Sequence, residues 1–200
     1  MTLDPAHVLA NLANIERSCA TNDPLFTSDW WIMAKIDLDD IDRRIITALQ
    51  ADGRLSNIEL ADRVGLSPSP CLRRVKNLER TGYIDGYRAA LRRERVGLGF
   101  TAFVGVKIDG HANKRAIAFE KAVVEMPEVV ACHLVSGESD YFLEVVVPEL
   151  ADYQRFLVGK LLNLPIVREV RSNIAIQTLK AGAPLPLEHL KPVAPEIRAK

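Results

Sequence analysis

The sequence predicts an α+β chain made of two small domains in tandem, and three observations lead there. Residues 37–82 carry three short stretches of helical periodicity separated by glycine stops. Residues 96–180 instead run β-α-β-β-α-β, the split βαβ or ferredoxin-like order. Between them lies a concentration of positive charge. Residues 67–95 hold eight bases (Arg73, Arg74, Lys76, Arg80, Arg88, Arg92, Arg93, Arg95) against three acids (Glu79, Asp85, Glu94). The whole chain is formally neutral, so the clustering is local and asks for a local reason.

Leu38, Ile41, Ile45 and Leu49 recur at three- and four-residue spacing, the stripe of an amphipathic helix. Asp37 or Asp39 can cap its start and Gly53 can end it. Ser56-x-x-Glu59 is a capping box for a second helix, with Ile58, Leu60, Ala61 and Val64 expected to face inward. Gly65 supplies the left-handed residue a helix end needs. Ser67 opens a third helix with Pro68 at its first position, and Leu72, Val75 and Leu78 are expected to bury its inner face. "YIDGYRAAL" reads as a short strand pair turning at Asp85-Gly86.

After residue 95 the period changes. "FTAFVGVKID" is a strand with Phe100, Ala102, Val104, Val106 and Ile108 on one face. "NKRAIAFEKAVVEM" is a helix stopped by Pro127, and "EVVACHLVSG" with "DYFLEVVV" forms a hairpin. "ELADYQRFLVGKLLNL" is a second helix and "IVREVRSNIAIQTL" the last strand. Both helices pack on one sheet face. The other face carries apolar side chains too, which predicts a dimer through the sheets. The expected organisation is a loose or wrongly assigned extension over 1–34, with a physiological start at Met33. A DNA-binding-type helix domain with a linker strand follows over 35–95, the βαββαβ domain over 96–180, and a mobile Pro-rich tail over 181–200.

Several classes are disfavoured. Cys19, Cys71 and Cys132 are odd in number and far apart, which suits reduced intracellular thiols. No apolar run reaches the ~18 residues of a membrane span. The first residues lack a signal-peptide pattern, so a cytoplasmic protein is expected. His111 and His189 stand alone, no Walker loop or G-x-G-x-x-G is present, and neither metal nor nucleotide cofactor is expected. His133, Ser136 and Asp140 invite a catalytic triad. Strand alternation points His133 and Ser136 apart, and no G-x-S-x-G surrounds the serine, so no enzyme is expected.

Ala61 and Gly65 have the spacing of a close helix-turn-helix corner. With Val75 inward, a 100° step places Ser69, Pro70, Arg73, Asn77 and Arg80 on the opposite side, flanked by Arg74 and Lys76. Arginine can fork onto guanine and asparagine onto adenine in the major groove, while flanking bases and the helix N-terminus suit phosphates. The competing reading is a basic helix face that is merely solvated.

"LDDIDRRIITALQADGRLSNIELADRVGLSPSPCLRRVKNLERTGYIDGY" together with "ACHLVSGESDYFLEV" resembles the Lrp/AsnC family of bacterial transcriptional regulators, from about Asp37 to Leu179. The resemblance implies a winged helix-turn-helix on a regulatory βαββαβ (RAM) domain. It implies double-stranded DNA as partner, homodimers assembling to octamers or similar discs, and a small amino-acid effector, leucine being the best-known case. The helix-turn-helix maps to Asn57–Lys76, and the DNA-binding candidates are Asn57, Ser67, Ser69, Pro70, Arg73, Arg74, Lys76, Asn77 and Arg80. The effector candidates are Leu134, Ser136, Gly137, Asp140 and Tyr141 in the hairpin, with Leu162, Ile174 and Ala175 beyond it. Residue by residue the same hairpin also reads as a plain tight turn, Gly137 for backbone freedom and Asp140 for an Asx bond. Arg73 stands where the best-known member has an acid, so no operator sequence carries over, and residues 1–34 match nothing. The expected function is a nucleoid-associated regulator of amino-acid metabolism, global or confined to one operon. The alternative is an amino-acid-sensing subunit that never touches DNA.

Overall fold

The structure, a computed structural model, describes residues 38–109 and 113–190. The expected start at Met33, Asp37, His111 and the last ten residues lie outside the described residues. The described residues divide into two compact units, with 38–90 and 180–190 in one and 91–109 and 113–179 in the other.

In the helical unit, α1 (Asp40–Ala51) starts on a reciprocal cap. Asp39 Oδ1 accepts from the amides of Ile41 at 2.9 Å and Asp42 at 2.8 Å, and Asp42 Oδ2 accepts from the Asp39 amide at 3.5 Å. Burial pushes the Asp39 carboxyl up, but these amides and the Arg74 guanidinium outweigh it and hold its pKa below the ordinary value. The expected Ser56–Glu59 capping box opens α2 (Asn57–Val64), with Glu59 Oε2 accepting from the Ser56 amide at 2.8 Å and Ser56 Oγ from the Glu59 amide at 3.3 Å. The helix ends at Gly65, φ +69°, where the Leu66 amide donates back to the Ala61 carbonyl at 2.9 Å. Two residues later α3 (Pro68–Arg80) begins. Ile45, Leu60, Ala61, Val64, Cys71 and Leu78 form the shared core.

Two inward assignments are corrected. Ile58 is 71% exposed and Leu72 42% exposed. Ile58 lies a 200° rotation from Leu60, on the far side of α2. Along α3 the inner stripe is set by Cys71 and Leu78, seven residues and nearly two whole turns apart, which leaves Leu72 100° off. The expected strand pair over 83–91 is also absent: residues 84–90 form no ladder. The segment folds back along α3 instead. The amides of Tyr83 and Ile84 donate to the Leu78 carbonyl, and Tyr87 donates its hydroxyl to Glu79 at 3.1 Å. The tail, expected to be mobile, is anchored over its described part. Leu187 packs on the α1–α3 core and Leu190 is buried in it.

In the second unit, β1 (Phe100–Ile108), α4 (Asn113–Val124), β2 (Val129–Leu134), β3 (Tyr141–Val147), α5 (Leu150–Phe156) and β4 (Val167–Ile174) follow the expected order. A π-helical turn, Leu157–Leu161, extends α5. The sheet is antiparallel throughout in the order β2-β3-β1-β4. Ala102, Val104, Val106, Leu143 and Val145 face the helices and pack on Phe119, Val123, Tyr153, Phe156 and Leu161. The opposite face is mixed rather than uniformly apolar. Phe103 and Phe142 stack there with centroids 6.1 Å apart. Beside them Arg93, on a single 3-10 turn (Arg93–Val96), reaches Glu144 at 2.7 Å and Thr101 at 3.4 Å.

Two consequences can be measured. Gly65→Ala places a Cβ in left-handed backbone and lowers stability to chemical denaturation by about 1 kcal/mol, although it meets only an ordinary contact with Arg44 Nη2; an unchanged midpoint would contradict the corner. The stability contributed by the Asp39 carboxylate is fully present above its ordinary pKa of 3.8 and is lost as pH falls through the lower folded value. Parent and Asp39→Asn unfolding curves should therefore differ near neutrality and converge as pH drops below 3.8. A gap that persists in acid would assign the loss to something other than the charge.

Candidate nucleic-acid interface and effector hairpin

The outer face of α3 carries the sequence-predicted residues, but they divide into two groups. Ser67, Ser69, Arg73, Lys76, Asn77 and Arg80 are exposed, and Pro70 is half-buried. Among the described residues the side chains of Arg73 and Lys76 make no hydrogen bond or ion pair, so both cations are available to a ligand. Arg80 donates to Asn77 Oδ1 at 2.7 Å. That bond uses one of the two lone pairs on the Asn77 carbonyl, and its N–H donors stay outward.

Arg74 and Asn57 belong to the second group. Arg74 Nη1 lies 2.8 Å from Asp39 Oδ2 and 2.8 Å from Asp42 Oδ1, joining α3 to the capped start of α1. The Asp42 hydrogen bond, with help from Asp39, raises the Arg74 pKa further against the opposing effect of burial. This arginine turns inward because it falls on the same stripe as Cys71 and Leu78, close to two acids that exist on α1 as caps. Asn57 Nδ2 donates to the Pro68 carbonyl at 2.8 Å, tying the first turn of α2 to the first turn of α3. Both side chains brace the corner.

The start of α3 offers less than a generic helix end. Pro68 and Pro70 have no N–H, so in the first turn only the Ser69 amide stays unpaired by the helix, and Ser67 Oγ makes no capping bond. Hydroxyls and the helix dipole therefore carry what anion attraction the start has. Sequence reasoning missed Arg44. It is exposed on α1, and its Nη2 lies 3.7 Å from where a Cβ on Gly65 would sit, which puts it at the corner with α3. In the sequence Arg44 is one more polar position on an amphipathic helix, and only the packing of α1 against the corner singles it out.

The hairpin between β2 and β3 is braced by its own backbone. The Asp140 amide donates to the Val106 carbonyl at 2.9 Å, its carbonyl accepts from the Val135 amide at 2.9 Å, and its Oδ2 accepts from the Ile108 amide at 2.9 Å. Asp140 thus continues the β1–β3 ladder past its last strand pair. Ser139 Oγ occupies the space a Cβ on Gly105 would need, and Ser139 Cβ is 3.3 Å away from it. Gly137 holds φ +132° and nothing crowds it. Tyr141 is buried against Phe119, with centroids 4.7 Å apart, and donates its hydroxyl to Glu120 at 2.8 Å. Burial first, then the Glu120 carboxylate, push its pKa well up. Leu134, opposite Tyr141 in the register, is 62% exposed.

The effector candidates are not gathered in one place. Leu134, Ser136, Gly137, Asp140 and Tyr141 share the hairpin, at the end of β1 marked by Val106 and Ile108. Ile174 pairs with Ala102, and the Ala175 amide donates to Thr101 at 3.0 Å, at the other end of β1. Four residues of strand separate the two ends, roughly 13 Å. Leu162, half exposed, closes the π-helical turn. A shallow cleft of 290 Å³ between α4 and the chain before β4 is lined by Arg115, Ala118, Phe119, Leu164, Pro165 and Ile166, none of them a predicted effector residue. Among the described residues no three His, Cys, Asp or Glu side chains gather where a metal could sit, and no helix is long and apolar enough to cross a membrane.

Comparison with known proteins agrees with this division. Residues 38–85 match the family described as winged helix-turn-helix DNA-binding, and residues 101–185 match the Lrp/AsnC ligand binding domain. The leucine-responsive regulatory protein of Escherichia coli is 44% identical over 144 residues, covering 72% of this chain and 88% of that protein. A transcriptional regulator of Neisseria meningitidis, solved as an L-methionine complex, is 40% identical with a TM-score of 0.74, covering 77% of this chain and 99% of that one. An AsnC family regulator of Agrobacterium tumefaciens is 36% identical with a TM-score of 0.73, covering 77% and 100%. With a helix-turn-helix that bears an open basic face, a ferredoxin-like sheet domain after it, and relatives matching across both, the chain belongs to the Lrp/AsnC family of DNA-binding transcriptional regulators.

Proposed function

We propose that this protein regulates genes of amino-acid metabolism by binding palindromic DNA with α3, and that a small amino acid such as leucine or methionine adjusts that binding. The observation that carries the DNA reading is the divided set of basic residues on α3. Arg74 is consumed in holding the helix, while Arg73 and Lys76 stay unpaired beside the Asn77–Arg80 donor pair. Ser67, Ser69 and Pro70 set the contour of the helix start, and Arg44 is positioned to take a flanking phosphate. The protein works as a homodimer, paired α3 helices matching a two-fold operator, and assembles further to an octamer or similar ring. It acts on DNA in the cytoplasm, in association with the nucleoid, and it is not an enzyme.

For the effector, the support is the family together with the relative solved with L-methionine. Within one chain the hairpin and the Ile174–Ala175 end of the sheet lie apart, so a site using both draws on a neighbouring copy. In that arrangement Leu134, Ser136 and Gly137 can touch the amino acid, whereas Asp140 and Tyr141 shape the hairpin from behind. Leu162, Ile174 and Ala175 then respond from the adjoining surface.

The deciding experiment is a gel shift of the purified protein on the DNA upstream of its own gene, with and without each of the twenty amino acids. A specific shift altered by one or two of them is the expected result. Amino-acid binding without any specific shift would instead make the protein a sensing subunit. Arg73→Ala should weaken specific binding by about 1–3 kcal/mol. Arg74→Ala should lower thermal stability and DNA affinity while leaving the salt slope of binding as in the parent, because no phosphate contact is lost. A slope reduced by about one unit would return Arg74 to the contact surface. Asp140→Ala should reduce stability and effector response together, since its carboxylate holds the Ile108 amide; loss of response at unchanged stability would make it a direct ligand.

A further inference from the structure

Among the described residues the chain passes between the two compact units twice, at residues 90–91 and again at 179–180. The returning segment is fastened to α1 at two points. The Leu185 amide donates to Gln50 Oε1 at 2.7 Å, and the Leu185 carbonyl accepts from Gln50 Nε2 at 3.3 Å. One side-chain amide thus satisfies both backbone groups of a residue, as a neighbouring strand would. Five residues on, the Leu190 carbonyl accepts from Arg43 Nη1 at 3.0 Å. The Leu190 side chain enters the core of Leu38, Ile45, Leu60 and Leu78, with Leu187 packed at its edge. Arg43 and Gln50 are seven residues apart, so they share one face of α1 and the segment runs along that face. Two prolines, Pro184 and Pro186, stiffen it where it meets the helix.

We propose that residues 185–190 are a strap that couples the sheet domain to the recognition helix, with Gln50 as its latch. The strap begins eleven residues after β4 ends and grips the helix whose first turn, through Asp39 and Asp42, holds Arg74 of α3. A displacement of the end of β4 is passed along this short tether to α1, and from α1 to the presentation of α3. The regulatory half of this proposal rests on the amino-acid-responsive DNA-binding function set out above. The docking half does not.

Docking is read by amide hydrogen exchange in the full-length protein. Leu185 should exchange at least ~10-fold more slowly than an unstructured amide, and Gln50→Leu should abolish that protection while residues of β1 and β3 keep theirs. Free exchange at Leu185 in the parent would overturn the strap outright. Coupling is read by inserting eight Gly/Ser residues between Gly182 and Ala183, which leaves the strap free to dock but slackens the tether. L-leucine and L-methionine serve as probes, their binding followed by calorimetry and their effect by operator affinity. The insertion should bind the responding amino acid and apo operator as the parent does, yet lose a coupling that in the parent amounts to about fivefold or more in DNA affinity. A full response after insertion would overturn the coupling. A parent that binds operator but responds to neither amino acid would count against these effectors, and the exchange result would still decide whether the strap docks.

Discussion

The Arg74 ion pairs fasten the outward face of α3. Arg74 sits on the inner stripe of α3 and reaches two carboxylates that α1 already uses to cap its own first turn. One ion-paired cluster therefore does two jobs. It satisfies the free amides at the start of α1, and it pins the rotation of α3 that the burial of Cys71 and Leu78 favours. Once that rotation is set, Arg73, Lys76, Asn77 and Arg80 must point outward, and Cys71 and Leu78 must point into the core. The Gly65 corner and the Asn57–Pro68 bond fix the distance between α2 and α3, but neither sets the rotation of α3.

The sheet domain follows a similar economy. Asp140 extends the β1–β3 pairing with its backbone and its carboxylate, and Ser139 lies over Gly105 where any larger residue would collide. The hairpin is thus held from below while Leu134 and the Ser136–Gly137 tip stay open. The mixed opposite face sets the stacked Phe103 and Phe142 beside the Arg93–Glu144 pair.

Much of this was legible in the sequence. Capping boxes, glycine stops and strand alternation depend on neighbours close along the chain, and the elements and their order follow from them. The differences between sequence and structure share another origin. Arg74 and Asn57 read as DNA contacts because helical angle alone cannot show that Asp39, Asp42 and the Pro68 carbonyl come within reach. Ile58 and Leu72 read as buried because short helices admit more than one apolar stripe, and tertiary packing chooses between them. The Pro-rich tail read as mobile because Gln50 and Arg43, its partners over residues 185–190, lie more than a hundred positions away. Arg44 was missed for the same reason. Most of these concern a contact outside the local pattern, whereas the strand pair over 83–91 gave way to the nearby bonds from Tyr83, Ile84 and Tyr87 to α3.

A double-mutant cycle between Arg74 and Asp42 tests the central claim most directly. Arg74→Ala, Asp42→Ala and the double variant would be compared by chemical denaturation and by affinity for one operator. If the pair pins the rotation of α3, the two losses overlap, and the double variant is little worse than either single one. A coupling of about 1 kcal/mol is expected for a partly exposed pair whose second acid, Asp39, remains. Strictly additive losses in both stability and DNA affinity would contradict the account and leave Arg74 as one more basic residue on the helix.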